Sequence, residues 1–265
     1  MQNVGGSHDH SICGHDQEQE TDSAVSAPED ASSLNIKLFA DGADLRGMLD
    51  YASNPLIKGF TTNPTLMRQA GITDYEKFAR EVLSHITDRP ISFEVIADDF
   101  REMNRQAKKL AALGPNVVVK IPVTNTRRES SGPLIAELAA SGIPLNVTAV
   151  MTLDQVCSIS DNLSGGAPSI ISVFAGRIAD TGRDPVPLMR SALGITDAHD
   201  NVELLWASPR ELLNIIQADE IGCDIITVTH DVLKKLGGLG KDLDQFSLET
   251  VKMFADDAAA AGFRL

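Results

Sequence analysis

From Ile36 onward the chain repeats one alternation, and that alternation constrains its fold more than any other feature. Short apolar runs alternate with longer stretches whose apolar residues recur every three to four positions. The short runs predict strands at Ile36–Ala40, Ile57–Thr61, Ile91–Val95, Val117–Ile121, Pro144–Val147, Ile170–Phe174, Glu203–Trp206 and Asp224–Val228. The stretches between them predict helices over 43–52, 64–87, 98–113, 129–141, 152–164, 184–194, 208–218 and 229–237, and Leu243–Ala261 predicts a last helix. Strands that are apolar along most of their length are buried on both faces, and strands separated by helices run parallel. The expected fold class is therefore α/β, with helices covering the sheet. Eight such units are the number that closes a sheet into a (β/α)8 or TIM barrel. An open doubly wound sheet is the alternative. It has little support, because no G-x-G-x-x-G opens a helix after the first strand.

The 265 residues suit one such domain, which typically runs to about 250 residues. Residues 1–33 differ from the rest. They hold seven acidic residues, Asp9, Asp16, Glu18, Glu20, Asp22, Glu29 and Asp30, with no Lys or Arg. This is a disordered-segment composition, so the chain divides into a 1–33 acidic tail and a 34–265 barrel. His8, His10 and His15 near Cys13 have the residue types that hold Zn²⁺ or Ni²⁺. A solvated acidic tail accounts for the same residues, and no second ligand cluster follows, so no metal site is expected. Three cysteines are too few and too scattered for a disulfide framework. No apolar run reaches the roughly 18 residues of a membrane span, and residues 1–30 lack the apolar stretch of a signal peptide, so the cytoplasm is the expected compartment. The net charge of −14 opposes binding to nucleic acid or an anionic membrane. A phosphorylated ligand would need a local site of arginines and backbone N–H groups. Association with further copies of the chain stays open.

In barrels of this kind the active site lies at the C-terminal ends of the strands. The polar residues there are Asp41 after the first strand, Thr61, Thr62 and Asn63 after the second, and Glu94 at the end of the third. Lys120 lies inside the fourth strand, in Val-Val-Val-Lys-Ile-Pro. Asn146 and Thr148 end the fifth, Ser172 and Arg177 flank the end of the sixth, and Ser208 and Arg210 follow the seventh. Lys120 is the most informative. A buried, charged, unpaired lysine costs several kcal/mol, so its side chain must reach a cavity or a partner. In a cavity, desolvation favours the neutral amine, which is what imine formation with a ketone requires. Pairing with a buried carboxylate such as Glu94 is the alternative. Asp41 is a candidate general acid/base, or else a helix N-cap. Asn63 before Pro64 has the pattern of a cap with Pro at the first helical position. Arg177, Ser208 and Arg210 could clamp a phosphate, with Ser208 opening a helix whose N-terminus favours anions. The arginines could equally serve in surface ion pairs. His230 reads as a helix-start residue.

These residues resemble the transaldolase family, and within it the short bacterial branch that includes fructose-6-phosphate aldolases. The resemblance is carried by Phe-Ala-Asp-Gly-Ala-Asp (39–44), Gly-Phe-Thr-Thr-Asn-Pro-Thr-Leu (59–66), Ser-Phe-Glu-Val (92–95) and Val-Val-Lys-Ile-Pro-Val-Thr (118–124). It continues through Asn-Val-Thr-Ala (146–149), Ser-Val-Phe-Ala-Gly-Arg (172–177), Ala-Ser-Pro-Arg (207–210) and Asp-Val-Leu-Lys-Lys-Leu (231–236). The resemblance implies a Schiff-base nucleophile at Lys120 and proton transfer at Asp41, with Glu94 and Thr148 holding a relay water. It implies contacts to donor hydroxyls or the carbinolamine from Asn63, Asn146 and Ser172, and to the terminal phosphate from Arg177, Ser208 and Arg210. Glu94 and Phe174 match the transferring members, whereas aldolase-type members tend to carry Gln and Tyr there. The chain departs from the family in its first motif, in Pro209, and in the Arg127–Arg128 pair after the fourth strand. The implied reaction transfers a dihydroxyacetone unit between sugar phosphates, a step of pentose phosphate metabolism, with no cofactor. An aldolase releasing free dihydroxyacetone and a non-catalytic sugar-phosphate-binding barrel are the alternatives.

Overall fold

The computed structural model describes residues 30–264. His8, His10, Cys13 and His15, where no metal site is expected, and the tail reading for residues 1–29 lie outside the described residues. The eight strands are β1 Lys37–Asp41, β2 Ile57–Thr61, β3 Ile91–Glu94, β4 Val117–Pro122, β5 Leu145–Val150, β6 Ser169–Val173, β7 Val202–Trp206 and β8 Ile225–Thr229. All pairs are parallel and follow chain order, and β8 returns to β1 to close the barrel. This is the expected (β/α)8 fold. Strand ends fall within one residue of the sequence reading except in β5, which continues to Val150.

The helices are α1 Leu45–Ala52, α2 Pro64–Gln69, α3 Tyr75–His85, α4 Phe100–Ala111, α5 Gly132–Ala140, α6 Leu153–Leu163, α7 Ala175–Ala179, α8 Val186–Thr196, α9 Leu213–Glu220, α10 His230–Leu233 and α11 Leu243–Ala261. Three differ from expectation. The single helix expected over 64–87 is two, because Gly71 takes a left-handed φ of 72° and Asp74 caps a new start by accepting from the Lys77 N–H. The short α7 is additional. The helix expected from Ser208 begins only at Leu213.

Adjacent strand residues point to opposite faces, and the two faces differ here. Leu38, Phe60, Phe93, Val119, Val147 and Leu204 point outward into one continuous core under the helices. A separate cluster of Phe39, Ile170, Leu205, Ala207 and Ile225 fills the barrel interior. Much of the rest of the interior is polar: Thr61, Ser92, Lys120, Asn146, Ser172 and Thr227 are all buried. The sequence reading took the strands as apolar on both faces, and that is corrected for the inward face. Among the described residues, no helix is long and apolar enough to cross a membrane.

No residue of α11 is buried. Phe246, Val251 and Phe254 are 52%, 59% and 62% exposed. Asp242 caps the helix start, and left-handed Gly262 ends it.

Gly59 tests the interior packing. It stands opposite Phe39 in the β1–β2 register, and a Cβ there would lie 2.5 Å from the Phe39 Cζ and 2.7 Å from both Cε atoms. The ring is confined inside the barrel and cannot swing away. Gly59→Ala is expected to destabilise the fold by about 1–3 kcal/mol, the usual cost of overpacking. The check is the midpoint of urea unfolding, and an unchanged midpoint would show that the ring has room to move.

Candidate active site

A cavity of about 480 Å³ opens at the C-terminal mouth of the barrel. Lys120 enters it from the wall. Its side chain is buried, because β4 supplies a neighbour on each side: Glu94 pairs with it across β3, and Asn146 across β5. Nζ donates to the main-chain oxygen of Thr62 at 3.1 Å and lies 3.5 Å from Glu94 Oε2. The two surroundings that the sequence offered for this lysine occur together. It has a carboxylate partner, and it faces a cavity.

Asp41 lines the same cavity. Its Oδ1 accepts from Thr61 Oγ1 at 2.7 Å, and Thr61 is in turn hydrogen-bonded to Thr227. Asp41 is not the cap of α1. Asp44 takes that role, accepting from the Gly47 N–H at 2.8 Å. Burial pushes the Asp41 carboxyl above its ordinary value, against the opposing charge of Lys120 and the Thr61 hydrogen bond. Burial does the same to Glu94, again opposed by Lys120. An amine thus shares one cavity with two carboxyls that hold protons more tightly than they would in water. Such a set can both donate and accept protons at a reacting centre. The Tyr75 hydroxyl steadies Glu94 by donating to its main-chain oxygen at 2.7 Å.

The remaining candidates lie around this centre. Thr148 Oγ1 is buried, lines the cavity and has no hydrogen-bond partner among the described residues. Ser172 also lines the cavity and donates to Asn146 Oδ1 at 2.7 Å. Asn146 lies beneath the lining. Its Nδ2 donates to Ser92 Oγ at 3.1 Å, so its amide is engaged from both ends. Asn63 caps α2, accepting from the Leu66 N–H at 3.0 Å, and still lines the cavity.

Phe174, Arg177, Ser208 and Arg210 line another part of the wall. The Arg177 guanidinium lies 5.7 Å from the centre of the Phe174 ring. Arg210 Nε donates to Asp180 Oδ1 at 3.0 Å, and its Nη2 donates to the other oxygen. Ser208 has a left-handed φ of 63°. The loops after β6 and β7 are pressed together here: a Cβ on Gly176 would overlap the Ser208 main-chain oxygen. Ser208 does not open a helix, which corrects the expectation of a helix N-terminus at that point. The N–H groups of Arg210 and Glu211 both donate to Asn214 Oδ1, at 2.8 and 3.2 Å, so these two N–H groups are not free to hold an anion. The sequence reading gave no role to Tyr75, Gly176, Asp180 or Thr227. Their parts depend on partners distant in the chain, and only Gly176 falls within a recognised motif.

Comparison with known proteins agrees with this geometry. Residues 38–265 match the family described as transaldolase/fructose-6-phosphate aldolase. The chain belongs to that family. A probable transaldolase of Clostridium acetobutylicum is 36% identical over 202 residues, covering 76% of this chain and 89% of the relative. One of Methanococcus maripaludis is 34% identical over the same coverage. Among solved structures, dihydrodipicolinate synthase from Rhodopseudomonas palustris superposes with a TM-score of 0.53 at 14% identity, over 79% of this chain and 76% of that one, a likeness of fold alone. The chain is thus an enzyme of the transaldolase/fructose-6-phosphate aldolase family, and its ten candidate residues on the cavity wall form one continuous surface.

The raised Asp41 carboxyl has a consequence for stability. The folded chain binds this proton more tightly than the unfolded chain does. The stabilisation from that proton is present at low pH and is lost as pH rises through the folded value. Above that value the ionised, buried carboxylate costs stability. Asp41→Asn keeps an acceptor for Thr61 and removes the charge. It is expected to raise the thermal midpoint at pH 8 by on the order of 3 °C, with a gain that shrinks towards pH 4. Calorimetry across that range checks this. A variant less stable at pH 8 would show that pairing with Lys120 outweighs burial.

Proposed function

We propose that this enzyme is a transaldolase, moving a dihydroxyacetone unit between sugar phosphates through a Schiff base on Lys120. The observation that carries this reading is the buried Lys120 amine on the cavity wall, 3.5 Å from Glu94 and sharing the cavity with Asp41. The unprotonated amine attacks the C2 carbonyl of a ketose phosphate such as fructose 6-phosphate or sedoheptulose 7-phosphate. Loss of water gives an iminium. Asp41 then takes the proton of the C4 hydroxyl as the C3–C4 bond breaks, and that bond's electron pair moves into the iminium to form an enamine. An aldose phosphate leaves. An acceptor such as erythrose 4-phosphate or glyceraldehyde 3-phosphate adds to the enamine carbon, and Asp41 returns the proton to the new hydroxyl. Addition of water then releases the product and frees Lys120.

The other roles follow from chemistry and position. Glu94 and Thr148 Oγ1 would hold the water that relays protons to and from the imine. Ser172 and Asn63 would meet donor hydroxyls, and Asn146 would orient Ser172. Arg177, Arg210 and Ser208 would receive the terminal phosphate. Transfer is favoured over release of free dihydroxyacetone by Phe174, whose ring lines the cavity but offers no hydroxyl to protonate the enamine. A non-catalytic sugar-phosphate-binding barrel has no need of a buried amine between two carboxyls.

Borohydride reduction in the presence of fructose 6-phosphate is expected to trap a three-carbon adduct on Lys120. Lys120→Met is expected to abolish trapping and lower turnover by about three orders of magnitude or more. Retention of a tenth of the activity would end the Schiff-base reading. The same wild-type preparation should transfer dihydroxyacetone to erythrose 4-phosphate faster than it releases it, and the reverse ratio would favour the aldolase.

The cytoplasm is the compartment that suits such a substrate. We also propose that the chain forms a homo-oligomer in which a second copy covers α11. A 19-residue helix with Phe246, Val251 and Phe254 all more than half exposed would be marginal in water on its own. Phe246→Asp combined with Phe254→Asp is expected to lower the mass seen by sedimentation equilibrium. A wild-type chain that sediments as a monomer would refute this.

A further inference from the structure

The imidazole of His230 sits at the seam where the barrel closes. β8 pairs with β1 so that Thr229 stands opposite Asp41, which makes His230 the first residue beyond that level. Its ring lies over the connection from β1 to α1. A Cβ on Gly42 would meet His230 Nε2 at 2.9 Å, and one on Gly47 would meet Cε1 at 2.7 Å and Nδ1 at 2.8 Å. The two glycines make the space that the ring occupies. Tyr51 of α1 closes another side. Its ring centroid is 4.6 Å from that of His230, and its hydroxyl donates to the His230 main-chain oxygen at 3.2 Å. Nε2 is buried and has no hydrogen-bond partner among the described residues.

A phenyl ring would fill the same space without leaving a buried polar atom unpaired. Packing alone therefore does not call for an imidazole. What the imidazole adds is a nitrogen that can take a proton beside Gly42, one residue from Asp41. We propose that His230 is a positioning residue for Asp41: its ring fixes the turn that carries the carboxylate, and its protonated form supplies a positive charge behind that carboxylate in addition to Lys120. The proposal rests on the reading of Asp41 as the proton-transfer group.

The charged groups around the ring are Asp41 of β1, Asp44 ahead of α1, Asp231 of α10, and Lys234 just beyond it. Burial holds the imidazolium below its ordinary value. Asp44, Asp41 and Asp231 pull it back up, and Lys234 pushes it down. At neutral pH the ring is an uncharged filler. As the medium acidifies it gains a proton, and its charge keeps Asp41 ionised to lower pH. Without it, Asp41 would take up its proton at a higher pH, and its service as a base would end sooner.

His230→Phe keeps the ring and removes the charge. In the pH profile of kcat/KM for fructose 6-phosphate, its acid limb is expected to move up by about half a pH unit. The alkaline limb should keep its position, and the thermal midpoint at pH 8 should not fall. An acid limb that superimposes on that of the unaltered enzyme would overturn the proposal. A second measurement needs no turnover. The Cε1 proton of His230 can be titrated by NMR in the full chain, assigned by sequential correlations in the isotope-labelled, unaltered protein. Coupling between two sites is reciprocal, so Asp41→Asn is expected to lower that titration midpoint. An unchanged midpoint would overturn the proposal even if His230→Phe does not fold. Failure to trap an adduct on Lys120 would strike the proposed reaction, while the His230–Asp41 coupling would still stand or fall on the titration.

Discussion

Everything in this molecule is arranged around an amine held inside the wall of a barrel. Lys120 is buried between Glu94 and Asn146 on neighbouring strands, and a charged group in that position must be compensated. The compensation comes from the inward faces of the strands. Glu94 comes within 3.5 Å of the amine, Thr62 accepts its hydrogen bond, and Asp41 adds a second carboxyl whose own partner is Thr61. Each of these groups needs another behind it, so polarity spreads through the interior to Thr227, Ser92, Asn146 and Ser172. A barrel can carry this load because its stability is built elsewhere. The continuous apolar core lies outside, between strands and helices, and only a small cluster fills the inside.

This division explains what was legible in the sequence. The outward residues of each strand set the apolar runs, and they predicted all eight strands and the closed fold. Polar residues interrupting those runs marked the site, since each falls on an inward position near a strand end. Asp41, Glu94, Lys120, Thr148 and Ser172 were found in this way. Local chemistry also allowed caps to be read, as at Asn63. It left open whether Asp41 caps α1, because Asp41 and Asp44 lie three residues apart and both precede a helical pattern. The break between α2 and α3 was hidden because apolar spacing continues across Gly71.

What the sequence could not convey were pairings made in space. Nothing local shows that Asp180 holds Arg210 through Nε and Nη2. Nor is it visible that Gly176 is required by the Ser208 carbonyl lying where its side chain would be. Tyr75 approaches Glu94 from outside the barrel, across 19 residues of chain. Ser208 looked like the start of a helix because Ser favours that position, yet the close approach of the two loops sets it in a left-handed conformation instead.

The Arg210–Asp180 pair bears on how an acidic protein handles an acidic substrate. With a net charge of −14, the surface as a whole opposes an approaching phosphate, and attraction must be local. In the proposed site Arg177 and Arg210 would supply it, but two of the Arg210 donors are already committed to Asp180, and the neighbouring N–H groups are committed to Asn214. A phosphate arriving here shares the guanidinium with a carboxylate, which weakens the hold while fixing the direction of the side chain. Under the proposed reaction that compromise has a use. One sugar phosphate must leave and another must enter while the enamine waits on Lys120, and a phosphate gripped by free arginines would leave too slowly. The same residue that keeps Arg210 oriented thus limits its affinity, so turnover through a single anion site is compatible with an otherwise repulsive surface.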